Sequence, residues 1–320
     1  MPGRSALFRV VATVVPLCAL TGCPQLLSDE FSLHLDDDNP PVGGGGSDAG
    51  AGGSTSGGGA GGTGNSGGSG GDAIVAPPPS EIQVALNAAL VHRYRFDAEA
   101  PLLDSVGGAN AVSVGATFNA GAAVLAGTGT GQYIDLPNGL LSGLSNASFE
   151  VWVTWDVTDP TATAAEWQRI FDLGRNPSSV EGQQCALNVD ATALYLTPRT
   201  DDAQLQLLCE TCTGSAIASS SLPVGVTVQL VAVVDDDANL LNLYRDGALA
   251  GSRPFSGSLS QITNCTTRPA PCDWNNWLGR SNHVEDPPFK GKILDFRVYS
   301  AALRAEWIQA SFDAGPDADW

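Results

Sequence analysis

Leu230-Val-Ala-Val-Val234, a short acidic stretch, and then Leu240-Leu-Asn-Leu-Tyr-Arg-Asp246-Gly247-Ala-Leu-Ala250 decide the fold of this chain. Asp-Gly supplies the two positive-φ positions that a tight two-residue turn requires, so the second segment reads as a β-hairpin. Val226-Thr-Val-Gln-Leu-Val-Ala-Val-Val234 is nearly continuous in apolar residues, the pattern of a strand buried on both faces. Further out, Phe149-Glu-Val-Trp152-Val-Thr-Trp155 is a third β-rich run. From about residue 81 to residue 310, short apolar segments are punctuated by Gly, Asn, Asp and Pro, and helical periodicity is scarce. Only residues 301–310 look helical, as one short terminal turn. Many strands at short spacing without alternating helices predict an all-β fold, a two-sheet antiparallel sandwich.

The order of further segments carries a resemblance. Leu90-Val-His-Arg-Tyr-Arg-Phe96-Asp97, Asp104-Ser-Val-Gly-Gly108 and Gln132-Tyr-Ile-Asp-Leu-Pro137 look like opening strands; Phe149-Glu-Val-Trp152-Val looks like a central strand. Leu278-Gly-Arg-Ser281 and Phe289-Lys-Gly-Lys-Ile-Leu-Asp295-Phe-Arg-Val-Tyr299 look like closing strands. With the 230–252 hairpin, residues 88–310 resemble the laminin-G-like, concanavalin A-like lectin/glucanase jelly roll. Val226-Thr227-Val228 departs from the aromatic-histidine pair usual in that family ahead of the hairpin. The resemblance implies a calcium site at the sheet edge, for which the matching residues are Asp104 and Asp295 with backbone oxygens around Gly107 and Gly108. Ala109 stands where the family has asparagine, and the alternative is that Asp104 caps a turn through its own backbone.

The chain has 320 residues, 43% of them hydrophobic, and a formal net charge of −19. Such acidity repels phosphate backbones and argues against nucleic acid as a partner. Residues 1–22 read as an export signal: Arg4 and Arg9 precede an apolar run at 10–20, too short to span a bilayer. Leu20-Thr-Gly-Cys23 resembles the lipobox of bacterial lipoproteins, which implies acylation at Cys23, a membrane anchor and a place in the cell envelope. Pro24, rather than an aspartate, implies the outer membrane. Residues 23–80 form a linker expected to be disordered, almost wholly Gly, Ser, Ala and Thr from Gly43 to Gly71 and closed by Pro77-Pro78-Pro79. Residues 81–310 form the sandwich and residues 311–320 a tail.

Candidate chemistry is sparse. A retaining glycosidase needs two carboxylates about 5–5.5 Å apart, which catalytic relatives place at alternate strand positions. Asp97-Ala98-Glu99 has no third acid after it, and Glu285-Asp286 are adjacent and would face opposite ways, so the chain reads as a non-enzyme. His34, His92 and His283 fall in no hydrolase motif. Gly127-Thr-Gly129-Thr-Gly131 precedes a strand where a dinucleotide loop demands a helix. Asp235-Asp236-Asp237-Ala-Asn239 has Leu240 where a calcium loop needs glycine, and reads as a solvated hairpin tip.

In an exported chain Cys185, Cys209, Cys212, Cys265 and Cys272 are disulfide candidates. Cys265 with Cys272 is the first pair, Cys185 with Cys209 or Cys212 the second, and five thiols leave one over. Trp155, Trp167, Trp274 with Asn275, and Tyr195 are candidate ligand contacts, because sugars stack on exposed rings. Trp152 and Trp277 fall within strands and read as core. The function expected is a surface-displayed binding module for carbohydrate or protein. A structural or adhesive envelope protein and a glycan hydrolase are the alternatives.

Overall fold

The computed structural model describes residues 80–319, apart from 98, 129, 130, 179, 187, 188, 190, 211, 213 and 266–270. The export segment, Cys23 and the glycine-rich stretch therefore lie outside the described residues. Helix α1 (Glu81–Ala89) leads into β1 (Leu90–Tyr94), β2 (Val112–Val114), β3 (Thr117–Asn119), β4 (Ala122–Ala126), β5 (Tyr133–Leu136) and β6 (Ala147–Trp155). Then come β7 (Phe171–Arg175), β8 (Thr192–Thr197), β9 (Gln206–Cys209), β10 (Gly214–Ile217), β11 (Thr227–Asp235), β12 (Leu240–Arg245) and β13 (Ala248–Pro254). A single-turn helix α2 (Ser260–Thr263), β14 (Asn275–Leu278), β15 (Lys290–Tyr299) and helix α3 (Ala305–Ala314) complete the chain.

Two antiparallel sheets face each other. One runs β13-β12-β11-β6-β15-β4-β3, with β1 also on β15; the other runs β10-β9-β8-β7-β14-β5-β2. The ten-residue β15 serves two neighbours on one edge, pairing β4 through residues 290–293 and β1 through residues 296–299. Asp246 and Gly247 have φ of 50° and 78°, the geometry of the two-residue turn, and Arg245 pairs with Ala248 across it.

Alternation fills the space between the sheets. Phe149, Val151, Val153 and Trp155 of β6 point inward with Leu230, Ala232 and Val234 of β11, against Phe171, Leu173, Leu194, Leu196 and Leu278 of the opposite sheet. The other face of β11 is buried too. Val231 and Val233 form a second apolar cluster with Leu86 of α1, Tyr244, Tyr299, Leu303 and Ile308 of α3. This explains the near-continuous apolar run at 226–234: helices cover the outside of that sheet.

Those helices differ from the sequence expectation. α1 is an added helix, started by a capping box in which Ser80 Oγ accepts from Gln83 N and Gln83 Oε1 accepts from Ser80 N. The terminal helix has ten residues, not one turn, and runs on to Ala314. The chain beyond it is held as well, because the carbonyls of Pro316 and Ala318 accept from Arg93 at 2.7 and 2.8 Å. Among the described residues, no helix is long and apolar enough to cross a membrane.

Candidate functional site

Asp295 and Asp104 flank Arg93, but neither carboxylate fits a cation. Asp295 is 1% exposed and its Oδ2 accepts from Arg93 Nη2 at 2.7 Å and Arg297 Nη2 at 2.9 Å. A calcium ion there would meet two fixed guanidinium charges. Burial raises the Asp295 pKa against the opposing pull of those arginines. Asp104 Oδ1 accepts from the backbone N–H of Arg93, Val106 and Gly107, and Oδ2 from Ala109 N and His92 Nδ1, all at 2.7–3.1 Å. Burial opposes ionisation of Asp104, yet the hydrogen bonds from His92 and the backbone outweigh it and hold the pKa below the ordinary value. Its lone pairs are engaged by N–H donors, so Asp104 organises the turn at 104–109. Among the described residues no group of three His, Cys, Asp or Glu side chains is placed to hold a metal ion.

The aromatic candidates are mostly interior. Trp155 is fully buried and donates to Gln168 Oε1 at 3.0 Å; Trp274 is 1% exposed. Tyr195 lies under the Arg169 guanidinium, 3.8 Å from its ring centroid. Asn275 is buried, bonding Gly182 N, the Gln183 carbonyl and Asn282. Trp167 alone of the four rings is half-buried. Cys265 is bonded to Cys272 as expected. The second bridge joins Cys209 to Cys212, whose Cα atoms lie 5.2 Å apart across one turn, and Cys185 remains the free thiol.

Polar chemistry gathers instead on the outer face of the seven-stranded sheet. Strand register places Asp135, Trp277, Asp172, Tyr195 and Leu208 in one row across β5, β14, β7, β8 and β9. Residues 181–185 and 279–288 lie over that row. Asn282 donates to both oxygens of Asp172 at 2.9 and 2.7 Å, and burial pushes the Asp172 carboxyl up to about 6, against the pull of Arg169. Arg169 also pairs with Asp286 at 2.8 Å, and Ser281 Oγ donates to Asp286 at 2.7 Å.

His283 Nε2 faces Glu210 at 2.9 Å and its Nδ1 faces Cys185 Sγ at 3.6 Å. A thiol, an imidazole and a carboxylate in sequence have the composition of a nucleophilic relay. Burial, followed by the Glu210 charge, pushes this thiol up to about 11, so it stays protonated and is a poor nucleophile. Burial alone would lower the His283 pKa, but the Glu210 hydrogen bond and charge raise it.

At the rim of this face lies a cleft of about 100 Å³, lined among others by Gln132, Tyr133, Gln184, Arg280, Ser281 and Asp286. It is far smaller than the ~300–1,000 Å³ of pockets that enclose a whole small molecule, so it suits one edge or end of a larger ligand. Gly279 makes the cleft possible. Its φ is +87°, and a Cβ there would meet Leu125 Cδ1 at 2.3 Å, so only glycine turns the chain here. The turn lays Arg280 back over the rings of Trp277 and Tyr133, 4.1 and 4.6 Å from their centroids. Arg280 Nη2 donates to the Gly182 carbonyl at 3.0 Å and Gln184 Oε1 at 3.3 Å. Trp277 is 0% exposed but not part of the intersheet core: it faces outward under Arg280, with its Nε1 on Asp135 at 2.9 Å. The signal for this was alternation, since Leu278 faces in and its neighbour must face out.

Comparison with known proteins agrees with this architecture. The sequence profile of a family described as the concanavalin A-like lectin/glucanases superfamily matches residues 128–309. No curated protein matches the chain in sequence. Among solved structures, domain 4 of AbnA, a GH43 extracellular arabinanase from Geobacillus stearothermophilus in complex with arabinotriose, is 22% identical. That alignment covers 69% of this chain and 97% of the arabinanase domain, at a TM-score of 0.47. Trypanosoma rangeli sialidase is 16% identical over 70% of this chain, at a TM-score of 0.48, and this chain spans only 32% of the sialidase. The CBM40 of Ruminococcus gnavus IT-sialidase, bound to α2,3 sialyllactose, is 15% identical over 59% of this chain and 95% of its own, at a TM-score of 0.42. At these identities the likeness is one of fold.

Proposed function

The chain belongs to the concanavalin A-like lectin/glucanase superfamily, and from that premise we propose that it is a non-catalytic carbohydrate-binding module, lipid-anchored at Cys23 and displayed from the cell envelope. Fold membership leaves function open, so the reading is carried by the cleft beside Arg280. It is a small recess of mixed polar and apolar lining on a sheet face, with its guanidinium already positioned by two rings and two acceptors. Preorganised donors of this kind bind hydroxyl-rich ligands without the entropy cost of ordering a flexible side chain.

The state of the nearby acids supports a binding role over hydrolysis. Glycoside cleavage uses two carboxyl groups flanking the scissile bond. On this face Asp172 is 1% exposed and held by Asn282, Asp286 is held by Arg169 and Ser281, and Glu210 faces His283. The Asp172 carboxyl near 6 has a value suited to a general acid, but its burial separates it from any sugar in the cleft. The display reading rests on Arg4, Arg9, the apolar run and Leu20-Thr-Gly-Cys23, followed by the glycine-rich stretch.

The test is titration of the full chain, in detergent micelles, against a panel of neutral and acidic oligosaccharides, with reducing-sugar release followed in parallel. Saturable binding without release is expected. Absence of binding to every oligosaccharide would refute the module reading, and released sugar would restore the hydrolase. For the anchor, radiolabelled palmitate should enter the wild-type chain and not the Cys23→Ala variant; equal labelling of both would refute lipidation at that residue.

A further inference from the structure

We infer that the Arg280 cleft selects a sugar that carries a carboxylate, an inference that rests on the carbohydrate-binding reading above. The arginines of this face differ in one respect. Arg169 has Asp286 at 2.8 Å and Arg199 has Glu166 at 2.8 Å. Arg280 has no carboxylate within ion-pair distance among the described residues, and both acceptors on its Nη2 are neutral amide oxygens. Its Nε is buried and has no hydrogen-bond partner. A guanidinium offers five donors; the Nε–H is enclosed, so the Nη1 pair remains for a ligand.

The cleft's own chemistry favours an anion at that point. Among the described residues Asp286 is the only carboxylate lining it, and Asp286 is paired with Arg169 at 2.8 Å. Stacking on Trp277 and Tyr133 fixes the plane of the guanidinium, so its free Nη1 edge is held in place to donate a charge-assisted hydrogen bond to a carboxylate. The chain as a whole is strongly acidic, with a net charge of −19, so its long-range field repels anions. Selectivity for a carboxylate must therefore come from this contact and not from the surrounding field. The recess of about 100 Å³ has room for a carboxylate and the adjoining ring edge, with the rest of the glycan lying outside.

The experiment is calorimetric titration of the full chain in detergent micelles with trigalacturonic acid and with N-acetylneuraminic acid, each beside its methyl ester. The ester keeps the ring and removes the charge, so the comparison on the wild-type chain needs no variant. Each acid that binds should do so about 10-fold to 100-fold more tightly than its ester, the range of a hydrogen bond to a charged group. The two arms tell a uronate from a terminal sugar acid. Arg280→Lys should lose part of that factor for the acid, because an ammonium does not lie flat on the two rings and is not held by the Gly182 and Gln184 oxygens in the same way, and Arg280→Gln should erase the difference between acid and ester. Equal affinity for acid and ester, or acid selectivity that survives both variants, overturns the inference while leaving carbohydrate binding in place. Binding to neutral oligosaccharides alone also overturns it. Failure of every sugar, charged or neutral, removes the carbohydrate reading itself.

Discussion

Truncating Glu150 to alanine should be among the most damaging single changes in the domain. Glu150 sits on β6 with 1% of its surface exposed, on the face covered by α3. Its Oε1 accepts from Trp152 Nε1 and Gln229 Nε2, both at 2.9 Å, from Ser311 Oγ at 2.8 Å and from Arg297 Nη1 at 3.3 Å; its Oε2 accepts from Tyr299 OH at 2.9 Å. Burial disfavours its ionised form, but Arg297 and the hydrogen bonds from Gln229, Ser311 and Tyr299 outweigh that and lower its pKa. Removal strands the fully buried Arg297 against Asp295, which already serves Arg93, and leaves four neutral donors without this acceptor. Breaking a buried ion pair from one side costs about 3–5 kcal/mol. At about 2–4 °C per kcal/mol for a domain of this size, the melting temperature should fall by about 6–20 °C. Urea unfolding followed by tryptophan fluorescence measures it. The double variant Glu150→Leu/Arg297→Met should be more stable than Glu150→Ala, since it removes the stranded charge as well. A loss below about 1 kcal/mol for Glu150→Ala would refute the argument, and with it the claim that α3 seals this face from water.

Three further outcomes follow from the geometry. Gly279→Ala places a Cβ against Leu125 at φ +87° and should cost about 1–3 kcal/mol while weakening sugar binding by moving Arg280; unchanged melting and binding would contradict the turn argument. On the outer face of the seven-stranded sheet, Asp172 has a folded-state pKa raised to about 6, so its contribution to stability should fall as pH rises from the ordinary carboxylate range to about 6. His283 is raised too, so its contribution is complete below 6.5 and lost as pH passes its higher folded value; melting profiles of wild type and His283→Gln should lie furthest apart below 6.5 and converge as pH rises through that upper window. Calcium and chelator should leave the melting temperature equal, because both oxygens of Asp104 accept from N–H donors and two guanidinium groups crowd Asp295 Oδ2; a calcium-dependent rise would overturn that reading.

Some of what the structure shows is written in short-range patterns of the sequence. Ser80-Glu-Ile-Gln83 is a capping box, a four-residue pattern that starts α1 directly after the prolines at 77–79. The expectation that Trp277 is core follows the general burial of tryptophans, whereas alternation with the inward-facing Leu278 sets it on the opposite face. The buried acids were not legible at all. Asp172, Glu210 and Asp286 are dispersed in sequence, and their partners Asn282, His283 and Arg169 sit on other segments.

Local chemistry by itself determined the sandwich. The Asp246-Gly247 turn needs no distant partner to dictate a hairpin, and alternation along β6 and β12 sets which side faces the core. It also determined the Cys265–Cys272 pairing, a bridge between cysteines seven residues apart. Tertiary structure alone decided the partner of Cys209, the occupation of Asp104 and Asp295, and the charge state of the groups over the seven-stranded sheet. The bridge closes over a single turn three residues long, so spacing alone did not choose it over Cys185; the carboxylates depend on which atoms meet across the packed strands and on how much water remains between them. Arg280 shows the division most clearly. The sequence places an arginine after a glycine, whereas only the packed sheet puts that guanidinium on two rings and outside ion-pair distance of any carboxylate among the described residues.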